Sequence, residues 1–142
     1  MLVESNFTYD SSMAIWQNNP PFWPYTLDYP INHACLDPLC PTESFPGLWE
    51  LRLTLREDLL GARCNQDQIY FDCISPPDEN AVYDTMMLNF NRSYTTNKAP
   101  VGLYYHFPWF TVEHRRRGVN RFIHEILTTK KDVYFVTSWQ LI

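Results

Sequence analysis

Two helical apolar patterns, each followed by an unbroken apolar run, most constrain the fold of this chain. Over residues 79–94 and again over 112–129, apolar side chains recur at helical spacing. The runs that follow, at 99–110 and 133–136, show no polar alternation and are typical of strands buried on both faces. The order helix, strand, helix, strand predicts parallel strands joined by helical crossovers.

The residues before the first helical pattern predict shorter and less regular structure. Residues 6–9 favour a short strand, and the period-two alternation of residues 49–55 predicts a strand with one buried face and one face that is exposed or lines a cleft. Residues 18–47 hold seven of the eleven prolines and predict a long ordered loop. Residues 56–77 predict a second loop, and Asp78 a helix N-cap.

Only two strand-and-helix repeats are present, so the predicted fold is α/β, a partial (β/α) barrel with long loops. With 142 residues and 45% hydrophobic content, residues 1–142 are sufficient for one domain. A barrel that stops after two repeats would leave apolar strand edges uncovered. The architecture itself therefore predicts that further residues belong to this domain.

The charge balance and the hydropathy exclude two classes of partner. A net charge of −5 argues against a nucleic-acid partner, and the basic residues 114–117 are predicted to face water near the start of a helix. No apolar stretch is long enough for a membrane span. We expect neither nucleic-acid nor membrane binding.

The four cysteines fall into two close pairs, Cys35 with Cys40 and Cys64 with Cys73. These spacings do not match common zinc or redox patterns, and more than one disulfide connectivity is open to them. Each pair lies within its own polar or proline-rich loop, which favours local pairing in both loops. Two disulfides predict an oxidising, extracellular compartment.

Two N-glycosylation acceptor sequences, at Asn6 and Asn91, agree with a secreted protein. The amino terminus does not, because residues 1–16 have neither a basic start nor the apolar run of an export signal. We interpret the chain as a fragment of a longer precursor.

His106 and Asp10 are the candidate catalytic residues. His106 comes near the end of the apolar run at 99–110, and the carboxyl ends of barrel strands are where active sites lie. Asp10 likewise comes at the carboxyl end of a predicted strand, the short strand at 6–9. A structural histidine is the alternative for His106. His33, in the first disulfide loop, is predicted to be either exposed or part of a cleft.

Several segments, in their order, resemble the carboxyl-terminal half of the catalytic domain of animal chitin deacetylases, which are polysaccharide deacetylases. They extend over nearly the whole chain and are rich in aromatic residues. The segments are NFTYDSS at 6–12, PPFWPYTLDY at 20–29, FPGLWE at 45–50, APVGLYYH at 99–106 and DVYFVT at 132–137.

The resemblance implies a distorted (β/α) barrel that removes acetyl groups from the N-acetylglucosamine units of chitin, with zinc as the expected metal. It implies that His106 is the general acid that protonates the departing amine. It also implies that Asp10 helps to hold an arginine and that Leu103 lines the pocket for the acetyl methyl group. Chitin or N-acetylglucosamine oligomers are the expected partners.

Three tryptophans are candidates for stacking on sugar rings, since an indole ring complements the apolar face of a pyranose. Each could instead belong to the core, and we expect this more for the last of them. They are Trp23, Trp109 and Trp139.

The metal site of the family is the part that this sequence lacks. No Thr-Phe-Asp-Asp run and no pair of histidines four apart occurs, so no zinc ligands are predicted within this chain. We expect the chain alone to be inactive, with the amino-terminal, metal-binding half of the domain missing. A non-catalytic chitin-binding protein and an inert truncated product are the alternatives.

Overall fold

The computed structural model describes residues 2–15, 18–36, 40–64 and 75–142. Short strands occupy the first part of the chain and helices the second. The strands are β1 (Tyr9–Asp10), β2 (Ala14–Ile15), β3 (Tyr25–Leu27), β4 (Phe45–Glu50), β5 (Leu53–Thr54), β6 (Arg56–Glu57) and β7 (Arg63–Cys64). The helices are α1 (Glu79–Tyr94), α2 (Glu113–Thr129), the short α3 (Ser138–Leu141) and a 3-10 helix at Phe107–Thr111.

The largest described sheet has three strands in the order β1-β4-β3. Strand β4 runs parallel to β1 and antiparallel to β3, so that Glu50 is the register partner of Asp10 on one side and Tyr25 on the other. Strands β2 and β5 form a parallel pair, and β6 and β7 an antiparallel pair. A small core of Met13, Leu27 and Leu48 packs beside the three-stranded sheet.

The main hydrophobic core lies between α1 and α2, and both helices agree with the predicted boundaries to within one residue. Asp78 caps α1 as predicted, because its carboxylate accepts a hydrogen bond from the Ala81 N–H at 2.9 Å. Leu127, which the helical pattern placed on the apolar face, is instead 53% exposed. The buried core residues are Val82, Met86, Phe90, Trp109, Val119, Phe122 and Ile126.

The prediction of strands at 99–110 and 133–136 is wrong. Residues 99–106 and 133–136 have no regular secondary structure, and Val101, Tyr134 and Val136 are exposed. A strand needs a neighbour for its backbone groups, and no described strand lies beside either run. Pro100 and Pro108 also remove two backbone donors from the first run.

The α/β class is confirmed, whereas the partial barrel is not. The described strands form three small sheets that do not close into a barrel. The parallel pairs β1–β4 and β2–β5 are not joined by helices, because all described helices follow the last strand. The predicted loop at 18–47 contains β3 and the start of β4.

The disulfide between Cys35 and Cys40 is confirmed, with a Cα–Cα distance of 5.2 Å. The predicted pairing of Cys64 with Cys73 lies outside the described residues. Asn6 and Asn91 are both exposed, as glycosylation would require. No helix in the described part of the chain combines the length and apolar character needed to cross a bilayer.

We predict that Gly118→Ala destabilises the protein by about 1–2 kcal/mol, because a Cβ added there would lie 2.5 Å from the Val82 Cβ and 2.9 Å from the Glu79 carbonyl oxygen. This clash outweighs the gain in helix propensity of about 1 kcal/mol. Urea unfolding measures the change. Asn120→Ala, at an exposed position of α2, is the control and should be neutral or slightly stabilising. Equal stability of Gly118→Ala and the wild type would contradict the tight helix contact.

Candidate functional site

An open cleft of about 690 Å³ lies between the proline-rich loop, the strands and the irregular segments of the carboxyl-terminal part. The proline-rich loop contributes Phe22 and Trp23, and the chain after β4 contributes Arg52. The carboxyl-terminal part of the chain contributes Leu103 and Tyr104 to the lining. The cleft is therefore built by segments that are far apart in sequence.

The Trp23 side of the cleft is held in place by Asn97, which follows α1. The Asn97 side-chain amide donates to the Pro21 carbonyl at 2.6 Å, and Trp23 Nε1 donates to the Asn97 carbonyl at 3.2 Å. Trp23 nevertheless remains 53% exposed. Its indole is thus anchored through the nitrogen while ring surface stays accessible, an arrangement that suits stacking against a flat apolar ligand face.

Arg52 lies between aromatic side chains in the same part of the cleft. Its guanidinium carbon is 3.9 Å from the Tyr25 ring centroid and 4.5 Å from that of Phe22. Burial lowers the pKa of Arg52 to about 10 and raises the pKa of Tyr25 to about 12. At neutral pH the arginine is a cation and the tyrosine is neutral.

His33 completes this aromatic group. The Tyr25 hydroxyl donates to His33 Nε2 at 3.1 Å, and the Nδ1–H donates to the Ala34 carbonyl at 3.1 Å. Burial lowers the pKa of His33, and the neighbouring Arg52 acts in the same direction. The lowered pKa favours the neutral form of the His33 imidazole beside the charged Arg52. The sequence predicts His33 to be either exposed or part of a cleft; in the structure it is half-buried beside Arg52 and is not one of the residues that line the cleft.

Glu50 lies beneath this group and is fully buried. Neither of its carboxylate oxygens has a hydrogen-bond partner among the described residues. Burial raises the pKa of Glu50 to about 8, and the Asp10 carboxylate on the neighbouring strand adds to the shift. The positive charge of Arg52 opposes the shift. Glu50 is consequently mostly protonated at neutral pH.

Asp10 is connected to the cleft through the adjacent serines. Its carboxylate accepts a hydrogen bond from the Ser12 hydroxyl at 2.5 Å. The Ser11 hydroxyl donates to the Leu51 carbonyl at 2.6 Å and lies 3.2 Å from the Tyr104 hydroxyl in the cleft wall. Asp10 is thus close to the cleft without lining it.

The structure brings some of the predicted site residues together and separates others. Trp23 and Leu103 line the same cleft. His106 is exposed at the start of the 3-10 helix, outside the lining residues, and its carbonyl accepts a hydrogen bond from the Trp109 N–H at 3.0 Å. Trp109 is packed in the core against Tyr105, and Trp139 is 64% exposed outside the cleft lining.

Sequence reasoning did not identify Phe22, Arg52 or Glu50 as site residues. The period-two alternation of residues 49–55 was the available signal, since it puts Glu50 and Arg52 on one strand face. The alternation predicts that this face is exposed or lines a cleft. Arg52 does line the cleft, whereas Glu50 is buried. The contact with Phe22 depends on how the proline-rich loop folds back, which no local pattern indicates.

The residues described here do not fit a zinc site. The one described group with three potential ligand atoms within 4.8 Å of one another is His33, Cys35 and Cys40. Both sulfurs belong to the disulfide, so neither is available as the thiolate that zinc requires.

The comparisons with known proteins agree with the resemblance noted in the sequence. The chain is 34% identical to chitin deacetylase 8 of Bombyx mori over 126 residues, covering 87% of this chain and 32% of that protein. It is also 34% identical to chitin deacetylase 1 of Bombyx mori over 151 aligned positions, covering 100% of this chain and 28% of that protein. No family model matches the chain.

Both of these curated relatives are named chitin deacetylases, so the chain is similar to part of proteins of that class. The chain spans about a third of the length of the curated relatives it matches. The alignment to the second relative covers the whole chain and so includes the cleft residues together with Asp10 and His106.

We predict that Glu50→Gln makes the protein more stable than the wild type by about 1–3 kcal/mol at neutral pH. The unfolded chain loses the Glu50 proton near the ordinary value of 4.5, whereas the folded protein keeps it until about pH 8. The folded state therefore binds more protons between these values, and its stability falls as the pH rises. Thermal unfolding at several pH values in this range measures how steeply the stability falls with pH. The Glu50→Gln variant should show a smaller fall than the wild type.

Glu113→Gln is the matched control for this measurement, because its carboxylate is exposed and paired with Arg117. It should leave the pH slope unchanged. A Glu50→Gln variant that is less stable than the wild type at neutral pH would show that the ionised carboxylate stabilises the fold.

Proposed function

We propose that this chain is the carboxyl-terminal part of a secreted chitin deacetylase domain, in which the cleft binds N-acetylglucosamine units of chitin. The observation that carries the proposal is the meeting of Trp23 and Leu103 in one cleft, within a chain similar over its whole length to a chitin deacetylase. Each of the two residues has a separate role at a sugar unit.

Trp23 stacks on the apolar face of a pyranose ring, while its nitrogen remains occupied by the Asn97 carbonyl. Leu103, 36% exposed in the lining of the same cleft, packs against the methyl group of the N-acetyl substituent. Hydroxyl groups of the sugar face the polar lining residues. A neutral polymer with alternating apolar and hydroxyl-bearing surfaces fits such a mixed lining.

His106 is proposed as the general acid that gives a proton to the departing sugar amine. Imidazole suits this step because it holds and releases a proton near neutral pH. The exposed position of His106 leaves its side chain accessible to a polymer that extends beyond the cleft. Asp10, hydrogen-bonded to Ser12 beneath the cleft wall, is proposed to orient catalytic groups.

Zinc, which the resemblance implies, is proposed to be held by residues of the domain other than those described here. Zinc would polarise the amide carbonyl and activate water in the complete domain. The chain alone is therefore proposed to bind chitin without hydrolysing it.

An extracellular location is part of the proposal. The Cys35–Cys40 disulfide is a bond of oxidising compartments, and the exposed Asn6 and Asn91 are accessible for N-glycosylation.

We predict that Trp23→Ala weakens binding to N-acetylglucosamine oligomers by about 5–10-fold, the loss expected when one ring stack is removed. Isothermal titration calorimetry measures the affinity. Tyr29→Ala is the matched control, because Tyr29 is 81% exposed and does not line the cleft. Failure of the wild-type chain to bind these oligomers would overturn the proposed substrate. Aggregation without cooperative unfolding would favour the inert truncated product.

A second prediction concerns catalysis in a complete deacetylase domain that contains this chain. His106→Ala should lower the rate of acetate release by about a hundredfold and leave the metal content unchanged. His124→Ala, at an exposed position of α2, is the control and should keep full activity. Unchanged turnover of His106→Ala would remove the role given to this residue. Chitin binding by the complete domain without acetate release would identify a non-catalytic chitin-binding protein.

A further inference from the structure

We propose that His33, Cys35 and Cys40 form a binding site for zinc or another thiophilic divalent cation when the Cys35–Cys40 disulfide is reduced. Metal binding of this kind is independent of the proposed function, because it uses none of the residues placed there at a sugar unit.

The three ligand atoms already lie close together. One atom from each of His33, Cys35 and Cys40 falls within 4.8 Å of the other two, in the part of the chain that the structure describes. Ligand atoms around a tetrahedral zinc ion are about 3–4 Å apart. Cys40 Sγ also lies 3.2 Å from the His33 carbonyl oxygen, so these two residues are in direct contact. Once the S–S bond is open, the loop can therefore surround a cation without a large rearrangement.

The hydrogen bonds and ring contacts of His33 suit a metal ligand. Its Nδ1–H donates to the Ala34 carbonyl at 3.1 Å, which leaves the lone pair on Nε2. Nε2 accepts a hydrogen bond from the Tyr25 hydroxyl at 3.1 Å, and the metal ion would take the place of this donor. The ring centroids of Phe22 and Tyr25 lie 5.2 and 5.9 Å from that of His33, so that the imidazole is held between packed neighbours. Burial lowers the pKa of His33, which favours the unprotonated ring that a metal requires.

Reduction supplies the other two ligands, which are not available while the disulfide is intact. A dithiol reductant gives two electrons and two protons to the disulfide. The S–S bond breaks, Cys35 and Cys40 become thiols, and the reductant is oxidised to its own disulfide. Binding of the cation then releases both thiol protons to solvent and leaves two thiolates on the metal.

The charge balance of this site is compatible with the nearby arginine. Arg52 Nη1 lies 3.5 Å from His33 Nδ1, so a cation added alone would be repelled. Two thiolates cancel the charge of a divalent ion, and no net charge is added beside Arg52. A zinc ion with three protein ligands keeps its fourth position for water.

The disulfide is accessible to a reductant, since both cysteines are half-buried and neither is enclosed. It joins residues with a sequence separation of 5, and a disulfide that closes a short loop stabilises a fold less than one that closes a long loop. In the reduced chain a metal ion would close the same loop through the same two side chains. We therefore expect the reduced chain to remain folded.

The test uses a chain with Cys64→Ser and Cys73→Ser, in which Cys35 and Cys40 are the only cysteines. The chain is reduced with dithiothreitol, the reductant is removed in the absence of oxygen, and cobalt(II) is added as a spectroscopic substitute for zinc. We expect one cobalt ion to bind, with thiolate-to-cobalt charge-transfer absorption and the visible bands of a tetrahedral site. Zinc should displace the cobalt and remove both signals, and the unreduced chain should show neither.

Variants in the same background assign the ligands. His33→Ala and Cys40→Ser should each weaken zinc binding by more than about 10-fold, because each removes one direct ligand. His124→Ala, at an exposed histidine of α2, is the matched control and should leave the zinc affinity unchanged. Circular dichroism establishes that each reduced variant is folded.

Several results would overturn the inference. They are loss of the fold on reduction, failure of the folded, reduced chain to bind cobalt or zinc, equal binding by the reduced and unreduced chains, and an unchanged zinc affinity of His33→Ala. If the two serine substitutions prevent folding, the reduced wild-type chain is alkylated with and without zinc. Zinc should then slow the alkylation of Cys35 and Cys40, and equal alkylation of these two residues in both samples also overturns the inference.

Discussion

Gly118 of α2 lies against Val82 of α1 at a distance that no larger residue could occupy, and this contact sets how closely the two helices approach. Phe90, Phe122 and Ile126 fill the core that results. The position of α1 then determines where Asn97 lies, and through its hydrogen bonds with Pro21 and Trp23 where the proline-rich loop is held. A packing contact between helices thus positions the aromatic wall of the cleft.

The helix packing stabilises the fold, whereas the sheet buries polar groups and so lowers the stability of the folded state. Glu50 is fully buried between its register partners Asp10 and Tyr25, and its carboxylate has no hydrogen-bond partner in the described part of the chain, which disfavours the ionised form. Arg52 is stabilised by aromatic rings in place of a carboxylate. Buried charged groups of this kind are more common at functional sites than elsewhere in a fold, and Arg52 lines the cleft.

The similarity to chitin deacetylases and the geometry of the cleft support the same function from different directions. Both relatives are named chitin deacetylases, and the cleft contains Trp23 and Leu103, the residues proposed to contact a sugar unit. The chain spans about a third of those relatives, and its described residues do not provide a zinc site while the Cys35–Cys40 disulfide is intact. The proposed binding of N-acetylglucosamine oligomers can therefore be measured on this chain by itself.

The sequence by itself determined the features that depend on neighbouring residues. The helices at Glu79–Tyr94 and Glu113–Thr129, the Asp78 cap and the Cys35–Cys40 disulfide follow from local periodicity, capping and loop length. The runs at 99–110 and 133–136 were wrongly predicted as strands, because a strand forms only where a partner accepts its hydrogen bonds. The contact of Arg52 with Phe22 joins residues 30 positions apart, so only the tertiary structure decided it.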